Sequence, residues 1–156
     1  MRRAFAALCA AGLLLTVLAP GAAAGGPPAK VTITSTMVNI PDEGNVGTFD
    51  VVGTAPICSH GDVYDINYVF GALLPGKLRQ ILVTKAFVCP GEEDGFLLKM
   101  QVHEDLTGEG SETFTWVIFK GFGAFEKLRG QGSGSTVSSD WAAGPWFNTY
   151  QGFMIH

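Results

Sequence analysis

The chain has 156 residues, 47% hydrophobic and 15% charged, with 21 glycines and 8 prolines. That length supports one domain rather than two. With 10 basic against 14 acidic residues and a formal charge of −4, the chain argues against nucleic acid as a partner, because phosphate binding needs a clustered basic surface.

Met1-Arg2-Arg3 is a short cationic start, followed by an apolar run from Ala4 to Leu18 and the small residues Ala22-Ala23-Ala24. This order predicts a secretory signal peptide over 1–24, and therefore a secreted, extracellular protein. The run is short and alanine-rich for a membrane span, so no membrane partner is expected after cleavage. Residues 25–30 read as a flexible leader and 31–156 as a single β domain. Of three cysteines, Cys9 leaves with the signal. Cys58 and Cys89 remain as an even pair in an oxidising destination and predict one disulfide, worth about 3–4 kcal/mol on the chain-entropy model. No Cys/His set completes a metal site around them, and neither a metal nor a cofactor is expected.

The rest reads as strands. Short runs rich in Val, Ile, Thr and aromatics span Val31–Val38, Gly47–Gly53, Val63–Phe70, Leu78–Val88, Phe96–Glu104, Thr113–Phe119, Gln131–Val137 and Asn148–Ile155. Turn residues separate them at Pro41–Asn45, Pro75-Gly76, Pro90–Gly95 and Gly108-Glu109-Gly110. Only Ala124–Leu128 suggests a helical turn. Alternation puts Phe96, Leu98, Met100 and Val102 on one face. It puts Tyr64, Ile66, Tyr68 and Phe70 together, with Val63 and Asp65 opposite and Asp65 on the wet side. One-sided strands fit an antiparallel sheet. Eight of them fit a closed eight-stranded antiparallel barrel, with an open β-sandwich as the alternative.

Lys120 to Gly132 reads Gly-x-Gly-x-Phe-x-x-Leu-x-Gly-x-Gly from Gly121. This stretch resembles a signature of the allene oxide cyclase and dirigent superfamily, in which a glycine-rich turn and a small hook precede a closing glycine-rich strand. The chain also resembles secreted actinobacterial proteins that pair cysteines placed as Cys58 and Cys89 are. The resemblance implies the eight-stranded barrel. It carries no catalytic residue over to this chain, and it implies that homo-oligomers are common. The glycines 121, 123, 130, 132 and 134 are expected to supply positive φ and close backbone approach, with Phe125 and Leu128 plugging a barrel end.

Candidate chemistry is sparse. His60, Asp62 and His103 have no recognised ligand spacing, and Glu92-Glu93-Asp94 lacks the pattern of a calcium loop. Glu104 falls in phase with Met100 and Val102. It is the one candidate acid or base, its carboxyl raised if desolvated at the rim. Tyr64, Tyr68, Phe70, Met100, Phe114 and Trp116 are candidates to line a ligand space, since a barrel of this strand number has room for one small molecule. Trp141 and Trp146 stand in the long segment before the last strand. The reading that follows is a non-catalytic barrel binding a small apolar molecule in or at its mouth. The alternatives are an extracellular structural or interaction protein, and an isomerase or coupling-guide enzyme of the allene oxide cyclase or dirigent kind.

Overall fold

Apolar residues at every second position need a sheet with one buried face, and a sheet closed on itself buries that face most completely. The computed structural model describes residues 26–74, 78–106 and 111–156. The segment read as a signal peptide and the turns read at Pro75-Gly76 and at 108–110 lie outside the described residues. Eight strands follow in order: β1 Ala29–Ile40, β2 Gly44–Val52, β3 His60–Leu74, β4 Leu78–Val88, β5 Gly95–Asp105, β6 Ser111–Phe122, β7 Arg129–Ser138 and β8 Trp146–Ile155. Each pairs antiparallel with its chain neighbours, and β8 returns to β1, so the barrel is closed. Closure leaves no free edge and excludes the sandwich layout. Strand order follows the sequence reading; β4 keeps its expected bounds, the other strands run longer, and β1 takes in Ala29 and Lys30 from the expected leader.

Alternation sets the interior of most strands. Val31, Ile33 and Met37 of β1, Phe96, Leu98, Met100 and Val102 of β5, and Phe114, Trp116 and Ile118 of β6 are buried. β3 departs from the expected pattern. Val63 is fully buried while Tyr64 and Ile66 are exposed. Asp65 pairs with Lys85 and Asn67 with Thr84, so Ile66 is an extra residue against β4. This bulge inverts the parity of the strand. Asp65 therefore points inward before it, and Tyr68 and Phe70, opposite the inward-facing Val83 and Ile81, turn inward after it. The face read as Tyr64, Ile66, Tyr68 and Phe70 is split in two.

One end of the barrel is filled. Phe87 stacks on Phe96 at 4.9 Å and meets Phe49 and Tyr150 edge-on at 5.1 and 5.5 Å. A 3₁₀ turn at Gly123–Phe125 leads to Leu128, which is fully buried, with Phe125 packed beside the core. Asp94 Oδ1 accepts from the Ala124 N–H at 2.7 Å and fastens this turn to the β4–β5 connection. The Cys58–Cys89 disulfide ties the β2–β3 connection to the end of β4 at the same pole.

The β7 glycines act by their lack of volume. Of the glycine cluster only Gly123 has a positive φ, at 58°. A Cβ on Gly132 or Gly152, which face each other across β7 and β8, would come within 2.7 or 2.6 Å of Trp116 Cζ2. Gly134 makes room for Phe114 in the same way. Trp116 and Phe114 thus fill the space that β7 leaves, and the Trp116 indole N–H donates to Ser133 O at 3.1 Å.

Candidate functional site

Among the described residues, the opposite end is polar and holds a cavity. Its deepest charged group is Lys85, which follows Ile81 and Val83 on the inward row of β4 and precedes Phe87. A lone ammonium there would cost several kcal/mol. Its cross-strand partner Asp65 supplies the opposite charge, and the two form an ion pair with side chains only 6% and 5% exposed. Asp65 is over-determined: it also accepts from Tyr68 Oη at 2.9 Å and from Asn45 Nδ2 at 3.0 Å. Asn45 Nδ2 also donates to Tyr68 Oη, and Asn39 donates to Asn45 Oδ1 at 2.8 Å. Lys85 Nζ lies 3.0 Å from Met37 Sδ. Beside it Asn148 donates to Ser35 Oγ at 3.1 Å and accepts from Thr136 Oγ1 at 2.8 Å, all three buried. Among the described residues no buried side-chain nitrogen or oxygen lacks a hydrogen-bond partner.

Above this floor is a cavity of about 290 Å³, near the lower limit of spaces that hold small ligands. Ile81, Val83, Met100 and Val102 form apolar wall. Arg79 Nε donates to Glu104 Oε2 at 2.5 Å, and the same guanidinium lies 4.9 Å from the Phe70 ring centre. Tyr68 and Phe70 stack at 6.4 Å on one part of the lining; Trp141 and Trp146 supply another. The loop carrying Trp141 is fixed by Asp140 Oδ1, which accepts from the N–H groups of Ala142 and Ala143 at 2.8 and 3.2 Å. Ala143 O in turn accepts from the Asn39 N–H at 3.2 Å and holds the loop to β1.

Glu112 of β6 completes the lining. Burial, reinforced by the Glu104 charge, raises its carboxyl to about 7 against the opposing pull of Arg79 and Lys85. Burial, and then the Asp65 charge, raises the Tyr68 phenol, which stays protonated as a donor. Glu112 therefore exchanges its proton near neutral pH inside a partly apolar space, while Tyr68 holds its own.

Of the residues singled out from sequence, Glu104, Tyr68, Phe70, Met100, Trp141 and Trp146 line this cavity. Tyr64 points outward, and Phe114 and Trp116 are packed in the interior against the β7 glycines. Glu104 faces the cavity as its phase suggested and stands paired with Arg79. Asp65, read as a wet-face residue, is inside because Val63 and not Tyr64 sets the buried parity ahead of the bulge. Lys85 and Glu112 escaped the sequence reading. Lys85 had a signal, since it sits in phase with Ile81, Val83 and Phe87. His60 and His103 lie on strand segments at opposite ends of the barrel, and among the described residues no group of His, Cys, Asp and Glu could hold a metal ion.

No family model matches the chain, and no curated protein matches it. Among solved structures, the pterocarpan synthase dirigent protein GePTS1 is similar at 16% identity and a TM-score of 0.39, over 93% of this chain and 99% of that one.

Proposed function

We propose that this is an exported barrel whose open end binds a small molecule. The observation that carries the reading is a 290 Å³ space with apolar walls and converging polar groups, at one pole of a barrel whose other pole is filled. Ligand sites combine concavity, apolar lining and a few fixed polar groups in this way. The ligand fitting such a lining is amphipathic rather than purely apolar: a ring-sized body against Ile81, Val83, Met100 and Val102, with a polar end toward Glu104 and Glu112. Asp65, Tyr68 and Asn45 are already bonded to one another, so the floor is set before a ligand arrives. Secretion is part of the proposal, supported by the leader's composition and by a disulfide. Solvent extraction of natively purified protein followed by mass spectrometry tests the reading. A stoichiometric small molecule is the expected result, lost in a Val102→Trp variant that fills the cavity. Equal yields from both proteins contradict it.

One observation favours a second reading, catalysis. A carboxyl near 7 in a partly dry cavity is suited to take and return a proton at neutral pH. Chemical change of the extracted molecule on incubation with wild-type protein, absent with Glu112→Gln, would support it; an unchanged molecule counts against it.

A further inference from the structure

Among the described residues, the charges lining the mouth cavity do not balance. Lys85 is matched by Asp65 and Arg79 by Glu104. Glu112 lines the same cavity as the acid with no base of its own among the described residues. Among the described residues, the charged groups lining the cavity with it are Glu104 on β5, Arg79 and Lys85 on β4 and Asp65 on β3; β7 contributes the uncharged Thr136. With Glu112 ionised the set carries one surplus negative charge.

Each ligand class meets this set differently. A carboxylate or phosphate would bring further negative charge beside Glu104 and Glu112, where both bases are already matched. A neutral molecule leaves the Glu112 carboxyl to hold its proton. A cation supplies the missing charge. The rest of the lining suits a cation as well: Tyr68, Phe70, Trp141 and Trp146 present four aromatic side chains to the same space. The face of Phe70 already carries the Arg79 guanidinium, so this rim stabilises positive charge on a ring within the protein itself.

We propose that the mouth cavity takes an organic cation, an ammonium group on a small apolar body, with Glu112 as its counter-ion and Tyr68, Phe70, Trp141 and Trp146 as its aromatic wall. This rests on the small-molecule reading above and names the ligand class within it. Binding draws Glu112 into its ionised form, so a proton leaves the carboxyl when a cation enters below about pH 7.

Titration calorimetry with three phenyl-bearing probes tests it: benzyltrimethylammonium, its uncharged carbon isostere neopentylbenzene, and the smaller anion benzoate. The cation should bind about tenfold or more tighter than the isostere, and benzoate weakest. Its affinity should fall as pH drops below about 7, by up to about tenfold per unit, because the probe's own charge is fixed. In Glu112→Gln the cation's preference should shrink to about threefold or less and lose its pH dependence, while the isostere's affinity holds. The wild-type pH profile stands as a separate readout should that variant fold poorly. An isostere binding as tightly as the cation, or a cation affinity indifferent to pH, overturns this inference and leaves the small-molecule reading standing. No probe binding at any pH overturns both.

Discussion

Removing one member of the Asp65–Lys85 pair should damage the protein far more than removing both. The two side chains are 5% and 6% exposed, so each is the other's principal compensation for lost water. Lys85→Met leaves the Asp65 carboxylate with Tyr68 and Asn45 as donors but no opposite charge. Asp65→Leu leaves an ammonium against Met37 Sδ. Each should cost about 3–5 kcal/mol, a large part of the roughly 5–15 kcal/mol that holds a domain folded. At about 3–4 °C per kcal/mol this is a fall in Tm of roughly 10–20 °C. The double variant Asp65→Leu/Lys85→Met removes both charges. Tyr68 and Asn45 lose an acceptor but lie at the mouth, where water replaces it. Its stability should return to within about 1 kcal/mol of wild type. Urea unfolding at neutral pH, disulfide intact, gives all four corners of the cycle. A coupling energy of about 3 kcal/mol or more is expected. Single variants costing less than about 1 kcal/mol, or a double variant equal to the sum of the singles, would refute the account of a buried, mutually compensating pair.

Three further outcomes follow from the same structure. Gly132→Ala places a Cβ against Gln151 O and 2.7 Å from Trp116 Cζ2, and should cost about 1–3 kcal/mol in urea unfolding; a cost near zero would show that the Trp116 wall gives way. Cys58→Ser/Cys89→Ser opens a loop of 31 residues' separation and should cost about 3–4 kcal/mol, measured against the oxidised protein by chemical unfolding. Glu112 has a folded carboxyl raised from 4.5 to about 7, so the native state holds a proton the unfolded chain has released. Its contribution is full below about pH 4.5 and is lost as pH rises through about 7. Relative to wild type, Glu112→Gln should therefore gain stability across that window, by about 1–2 kcal/mol once solvent screening is allowed for. A difference that is flat with pH would contradict the raised carboxyl.

Much of the barrel is legible in the chain, for a stated physical reason. A strand buried on one face must alternate, and Phe96, Leu98, Met100 and Val102 do so without interruption. The same phase places Glu104 in the cavity. The bulge at Ile66 is invisible, because Asp65-Ile66-Asn67 carries no glycine or proline to mark an extra residue. Side-chain directions from Asn67 to Phe70 are then inverted, up to a second register shift between Phe70 and Leu73. That one irregularity hid Asp65 while Tyr68 and Phe70 were singled out in the company of the outward Tyr64. The glycines of β7 were legible as sites of close approach, but not as the complement of Trp116 and Phe114. That relation depends on which strands are neighbours in the closed sheet. Glu112 was hidden for a related reason, as was the shared cavity of Trp141 and Trp146, which the sequence did single out. Their common cavity exists only once β8 returns to β1 and the Asp140–Pro145 segment is drawn over the end.

The three tryptophans offer the most direct test that the mouth is the ligand site. Trp141 and Trp146 line the cavity, while the Trp116 indole is buried in the interior and bonded to Ser133 O. In a ¹⁵N-labelled protein each gives one indole N–H resonance. Titration with the tightest-binding benzyl probe should shift the two mouth resonances together, along one saturating curve, and leave that of Trp116 in place. A shift confined to Trp116, or no shift of either mouth indole at saturation, would contradict it.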